Sequence, residues 1–237
     1  MKRIAESLSV MVFVACFLCS CNGPMIITGN LLLKFMSDRG TGTAADPYII
    51  ENKEIDMTGK NANAGIQLQY TTAYVVIRNC HIFNGVYAQN NLNENDRADN
   101  LGILFQNVKN ATIDNCKIEY NNMGMWLEGC HAVTVKNCRV LNNRYRGIYL
   151  MDSSNCDIED NEVHSSSTEY GDDILLNTNF KKFMSVCQYN DVKYNETKKI
   201  HLMGNEYTRY NYIIGNTWEG GPSEHYQDSH VGENYYY

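Results

Sequence analysis

The sequence predicts an all-β fold in which short parallel strands coil about seven times into a solenoid, and three observations carry that prediction. The first is a self-similar repeat. Gly102-Ile103-Leu104-Phe105 and then Ile113-Asp114-Asn115-Cys116-Lys117-Ile118 return as Gly124-Met125-Trp126-Leu127 and Val135-Lys136-Asn137-Cys138-Arg139-Val140, and a third copy opens at Gly147-Ile148-Tyr149-Leu150. The opening glycines are 22 and 23 residues apart, and a period in the low twenties marks coils that bury their apolar faces against each other. The second is composition: only 3 prolines, with many Asn, Gly and Tyr, suit a turn-dense β protein better than a helical bundle. The third is that apolar residues fall in short alternating runs, as half-buried strands require.

At 237 residues the chain allows one domain with a small appendage. A formal net charge of −7 argues against nucleic acid as a partner, since phosphate binding needs a basic face.

Residues 1–21 read as a targeting segment. Lys2 and Arg3 give a positive start, and residues 8–18 an apolar core too short to span a bilayer. Leu18-Cys19-Ser20-Cys21 resembles a bacterial lipobox, which makes Cys21 the expected lipidation site and a membrane the expected partner through that anchor. Cys16 is a weaker alternative, with a shorter apolar run before it. An ordinary secretory signal would leave the protein secreted instead. The expected location is the cell envelope of a bacterium, facing the periplasm or the surface. Six further cysteines follow Cys21, an even count that invites disulfides in an exported chain.

Residues 22–45 form a lead-in, and the largely apolar stretch 25–36 is expected to cap the first coil, as helix or as strand. A solenoid end otherwise exposes open core and unpaired strand edges. The solenoid proper is expected over residues 46–218 and a polar tail over 219–237.

Gly40-Thr41-Gly42-Thr43 followed by Asp46-Pro47-Tyr48-Ile49-Ile50, leading into Asn-rich coils, resembles the NosD-like group within the pectin-lyase-like superfamily. The resemblance covers about residues 40–218. It implies a right-handed parallel β-helix, in line with the general preference for right-handed crossovers. It implies little about activity, although NosD itself is associated with copper maturation of a periplasmic reductase.

The rungs align on an apolar–x–Asn–Cys–x–apolar frame with copies beginning at Ile50, Ile77, Ile113, Val135, Ile158, Cys187 and Ile213. Its third column, Asn52, Asn79, Asn115, Asn137, Asp160, Tyr189 and Gly215, holds mainly residues that tolerate the left-handed backbone of a sharp corner. Tyr189 is the misfit. The fourth column points inward, with Cys80, Cys116 and Cys138 as a thiol stack continued by Asn161, Asn190 and Asn216 as an amide stack. Side chains in register point in parallel, which favours free thiols over a disulfide or a metal site. No histidine shows a ligand-type spacing, and no metal site is expected.

In the other strand of each rung, Ile66-Gln67-Leu68, Ile103-Leu104-Phe105, Met125-Trp126-Leu127, Ile148-Tyr149-Leu150, Ile174-Leu175-Leu176 and Ile200-His201-Leu202, the middle residue must face out. Trp126 and Tyr149 are thus expected side by side on the outer face of one sheet, and exposed flat aromatic rings suit stacking on sugars. A loop folding over them is the alternative. Two long polar excursions, 84–100 and 164–173, lead into this sheet, where insertions often build a binding face. Glu128 lies next along its strand, Arg144 and Arg146 precede the Tyr149 strand, and Glu169, Asp172 and Asp173 precede the following one.

The carbohydrate-binding set is therefore Trp126, Tyr149, Arg144 and Glu169. Weak catalytic candidates are Asp172, Asp173, Arg146 and Glu128, since paired carboxylates beside a stacking platform are what glycoside hydrolysis uses. Gly171-Asp172-Asp173-Ile174 resembles one element of polygalacturonase-type glycosidases, but Tyr145-Arg146-Gly147 stands where Asn-Thr-Asp-Gly would be required, so that assignment fails. The expected function is carbohydrate binding by a monomer, the partner being a polysaccharide or cell-envelope glycan. The alternatives are a polysaccharide lyase or glycoside hydrolase on the same flank, and a structural, interaction or copper-handling module. No cofactor is expected, with Ca²⁺ entering only under the lyase reading.

Overall fold

The computed structural model describes residues 23–85, 99–166, 171–179, 185–203, 208–218, 229–232 and 234–236. They form a parallel β-helix. Each coil crosses three sheets in turn: a first of 7 strands, a second of 8 and a third of 8. Neighbouring strands within each sheet are parallel and one coil apart, so Ile103 lies beside Met125 and Met125 beside Ile148 in the first sheet. Ile77, Ile113, Val135 and Ile158 align in the second sheet, and Ile82, Ile118, Val140 and Val163 in the third. These side chains are fully buried and share one core running the length of the solenoid.

Corners are made by residues in the left-handed region. Asn52, Asn79, Asn115, Asn137, Asp160 and Gly215 all have positive φ. Behind each corner an inward side chain supplies the acceptor that turning backbone lacks. Cys116 N–H donates to Cys138 Sγ at 3.4 Å, Cys138 N–H to Asn161 Oδ1 at 2.9 Å, and Asn161 N–H to Asn195 Oδ1 at 3.1 Å. The series runs on from Asn195 to Asn216 and from Asn216 to Asn234. Buried backbone polar groups are costly unless paired, and this ladder pairs them.

The ladder corrects the expected alignment. Tyr189 does have positive φ, but the partner of Asp160 one coil on is Tyr194, because Ile158 pairs with Val192 rather than with Cys187. The amide stack therefore continues through Asn195. Asn190 belongs to a second ladder at the preceding corner, where Cys156 N–H donates to Asn190 Oδ1 and Asn190 N–H to Asn211 Oδ1. Cys80, Cys116, Cys130, Cys138, Cys156 and Cys187 are all buried and free. The Cys116 thiol is pushed up to about 12, the hydrogen bond to Cys138 being the largest cause and burial adding to it.

The stretch 25–36 is a strand, Met25–Thr28, which adds to the edge of the first sheet beside Ala64–Gln69, followed by helix α1, Gly29–Met36. Leu33 is buried in the core, with Leu32 and Met36 packed against it.

Candidate functional site

The first sheet carries the expected aromatic pair on its outer side. Trp126 and Tyr149 are direct cross-strand neighbours, with ring centroids 5.4 Å apart and planes tilted by 31°. Contrary to expectation this face is not open. Gln67, Leu104, Tyr149 and Leu175 are buried, and Trp126 is half-buried. Alternation fixes the direction of a side chain, not its exposure. Here long side chains in adjacent columns cover one another: Ala64, Leu101, Leu104, Met123, Tyr149 and Leu175 form a second apolar cluster, with Trp126, Tyr145 and Met151 against it.

Charge collects where this cluster meets the start of the strands. Asp172 lies in register with Arg146 and is 5 % exposed. Its Oδ1 receives Lys199 Nζ at 2.8 Å and faces His201 Nδ1 at 3.3 Å, and its Oδ2 lies 3.9 Å from Arg146 Nε. Burial pushes the Asp172 carboxyl up, but the hydrogen bonds and charges of His201 and Lys199 outweigh it and hold it below the ordinary aspartate value. Arg146 lies with its guanidinium carbon 4.8 Å from the centre of the Tyr149 ring. The Tyr149 hydroxyl accepts from Asn177 Nδ2 at 3.2 Å and meets Met151 Sδ at 3.2 Å. Burial pushes that phenol up, against the Asn177 hydrogen bond and the Arg146 charge. Trp126, Tyr149, Arg146, Asp172, Lys199 and His201 thus form one connected set.

Two donors in this set have no hydrogen-bond partner among the described residues, Trp126 Nε1 and Arg146 Nε, although both atoms are buried. Unpaired buried donors are positions where a further acceptor would be welcome; others occur elsewhere among the described residues, as at Arg209 Nε.

The other expected residues separate. Asp173 is not a solvated turn carboxylate but is 1 % exposed. Its Oδ1 accepts from Ser165 N–H, and its Oδ2 from Thr197 Oγ1 at 3.1 Å, Lys198 N–H at 2.6 Å and Lys199 N–H at 3.2 Å. It is spent on structure. Glu128 is half-buried at the other end of the strand and ends a chain of amides, Gln69 to Gln106 at 2.5 Å and Gln106 to Glu128 at 3.1 Å. Arg144 is exposed and lies over Tyr145. Glu169, Cys21 and, within the two long excursions, residues 86–98 and 167–170 lie outside the described residues. Among the described residues, no group of three His, Cys, Asp or Glu side chains is arranged to hold a metal.

Lys199, His201 and Asn177 were not among the expected site residues. The repeat places one of them: His201 is in register with Leu175 and Leu175 with Tyr149, so two coils beyond Tyr149 it holds the middle, outward position already read for its strand.

Residues 39–218 match the family model described as right handed beta helix region. No curated protein matches. Among solved structures, the chain is similar to the A-module of the Azotobacter vinelandii mannuronan C-5 epimerase AlgE6, at 15 % identity and a TM-score of 0.44, over 79 % of this chain and 48 % of that one. It is also similar to a mutant tailspike protein of E. coli bacteriophage HK620 in complex with a pentasaccharide, at 14 % identity and a TM-score of 0.42, over 84 % of this chain and 49 % of that one. The chain spans about half the length of each of these structures.

Proposed function

The chain belongs to the right-handed β-helix family, and from that premise we propose that it is an exported glycan-binding protein, held in a bacterial cell envelope by a lipid on Cys21, that takes an acidic carbohydrate on the outer side of its first sheet. The observation that carries this reading is the pair of unpaired donors, Trp126 Nε1 and Arg146 Nε, on side chains that both pack against Tyr149, with Arg146 in register with Asp172 and the cation of Lys199 on that carboxylate. With Arg146 and Lys199 against the single carboxylate of Asp172, the set has an excess of positive charge, which suits a sugar carboxylate or sulfate. The half-buried Trp126 ring offers one stacking surface at its edge, rather than the open aromatic platform that the sequence suggests. The narrower placement in the NosD-like group rests on the Gly40–Ile50 motif and stays part of this proposal.

A two-carboxylate hydrolase is less well supported, because Asp173 has its acceptor positions taken. A lyase is the second reading, favoured by one observation: Lys199 is half exposed at the edge of the set, where an amine could meet a sugar ring.

The test is a panel of neutral and acidic polysaccharides, scored for binding and for product release, on the native protein and on Trp126→Phe, Trp126→Ala and Lys199→Met. Binding of acidic glycans alone, weakened roughly tenfold by Trp126→Phe through the lost N–H and further by the other two, supports the reading. Release of unsaturated products moves the protein to the lyase reading. Equal binding of neutral glycans, or none at all, overturns it.

A further inference from the structure

We propose that helix α1 is a membrane-contacting foot, with Leu31 and Phe35 seated in the lipid surface to which Cys21 ties the chain; this rests on the lipid-anchor reading above. Leu31 is 71 % exposed and Phe35 60 %, and on the adjoining edge strand Ile26 is 51 % exposed. Scattered exposed apolar residues need no explanation, but these are concentrated. Among the described residues, the other exposed large apolar side chains are tyrosines and Met203. Every exposed Leu, Ile or Phe among the described residues is in this one cap.

Leu31 and Phe35 are four residues apart and so lie together on one side of α1, away from the buried Leu33. The helix cannot roll to hide them. Asn30 ties its start to the next coil, donating from Nδ2 to Thr72 Oγ1 at 2.9 Å and accepting from Thr72 N–H at 2.8 Å and Ala73 N–H at 3.1 Å. Beyond its end, Asp38 is held by Lys53 at 2.6 Å and accepts from Glu51 N–H at 2.9 Å. The apolar side is therefore displayed by a pinned helix.

Chain length supplies the occupant. Only Asn22, Gly23 and Pro24 separate Cys21 from the strand that begins at Met25. Four residue steps span at most about 14 Å, so a lipid on Cys21 draws this end of the solenoid against the bilayer. Lys34, exposed on the same helix, can meet anionic headgroups. The solenoid then stands with its cap down and later coils further from the lipid.

The test uses the full chain reconstituted in phosphatidylethanolamine–phosphatidylglycerol vesicles, with a nitroxide at Leu31→Cys, Phe35→Cys or, as a distal control, Glu196→Cys. The six buried thiols leave the introduced site as the one labelled in the solenoid. Oxygen should broaden the signal at positions 31 and 35 more than a water-soluble nickel complex does, with the order reversed at 196. The mass of the amino-terminal peptide reports separately whether Cys21 carries lipid. A lipidated chain with positions 31 and 35 open to the nickel complex overturns the inference and leaves the anchor standing. An unlipidated chain still bound to vesicles with both positions in lipid upholds the foot and removes the anchor. Spin–spin broadening at 31 and 35 with neither reagent gaining access assigns the face to a second copy and overturns the inference, as does a chain that stays in solution.

Discussion

Asp173 and Thr197 replace, in one coil, the Gly147 and Val163 pair of the coil before. A Cβ on Gly147 would collide with Val163, as one on Gly124 would with Val140, so those coils need glycine where the first sheet begins. Thr197 takes the place of Val163 one coil on and donates its hydroxyl to the Asp173 carboxylate at 3.1 Å. A side chain that would be excluded thus becomes the acceptor for three backbone N–H groups and a hydroxyl. Replacing the carboxylate by an amide points N–H at N–H. Asp173→Asn should cost about 2–4 kcal/mol, and Thr197→Val about 1–2 kcal/mol, the carboxylate losing one donor. Denaturant unfolding of both variants checks this; an Asp173→Asn protein as stable as the parent would show that the carboxylate is dispensable.

The amide ladder predicts a graded series at position 161. Asn161 Oδ1 accepts from Cys138 N–H, and its Nδ2 donates to Val135 C=O at 3.0 Å. Asn161→Ala strands both groups in the core and should lower stability by about 2–4 kcal/mol. Asn161→Cys should cost less, about 1–2 kcal/mol, because a thiol already does this work one coil earlier, where Cys116 N–H meets Cys138 Sγ. Thermal melts that rank Ala above Cys would contradict the ladder as the reason for Asn here.

The six buried thiols should be chemically silent while the protein is folded. Burial keeps the reagent from all six, and the thiolate, which is the reactive form, is further disfavoured at Cys116, chiefly by its hydrogen bond to Cys138, and at Cys156, chiefly by burial, each pushed up to about 12. Iodoacetamide at mildly alkaline pH, read by mass, should leave all six unmodified in native protein and modify all six in denaturant. Rapid alkylation of Cys80, Cys116 or Cys138 in the native state would mean that the stack opens.

The fold was legible in the sequence because its signal is local and repeated: apolar alternation within strands and a left-handed residue at each corner. The register slip has a physical cause. Each coil turns once before and once after its second-sheet strand, and in one coil both corners carry the same dipeptide, Tyr189-Asn190 and Tyr194-Asn195. Both asparagines enter a ladder, so sequence alone gives no reason to choose between them. The site was half legible. Register places Trp126 beside Tyr149 and Arg146 beside Asp172. Burial of Tyr149 and the commitment of Asp173 depend on contacts between coils, and periodicity does not encode those.

Acid sensitivity should trace in part to Asp172. Its folded carboxyl titrates below the ordinary value, His201 and Lys199 overcoming the effect of burial. A depressed folded pKa contributes stability that is fully present above the unfolded value, about 3.9, and that is lost as pH falls through the folded one. Lys199 is half exposed, so the pair is partly screened. Asp172→Asn should therefore destabilise the protein by about 1–2 kcal/mol at neutral pH, and the gap from the parent should close as pH falls below about 4. The measurement is denaturant unfolding of both proteins across an acid series. A gap that stays constant with pH would assign the loss to packing, and one that widens on acidification would reverse the sign of the proposed coupling between Asp172 and its cations.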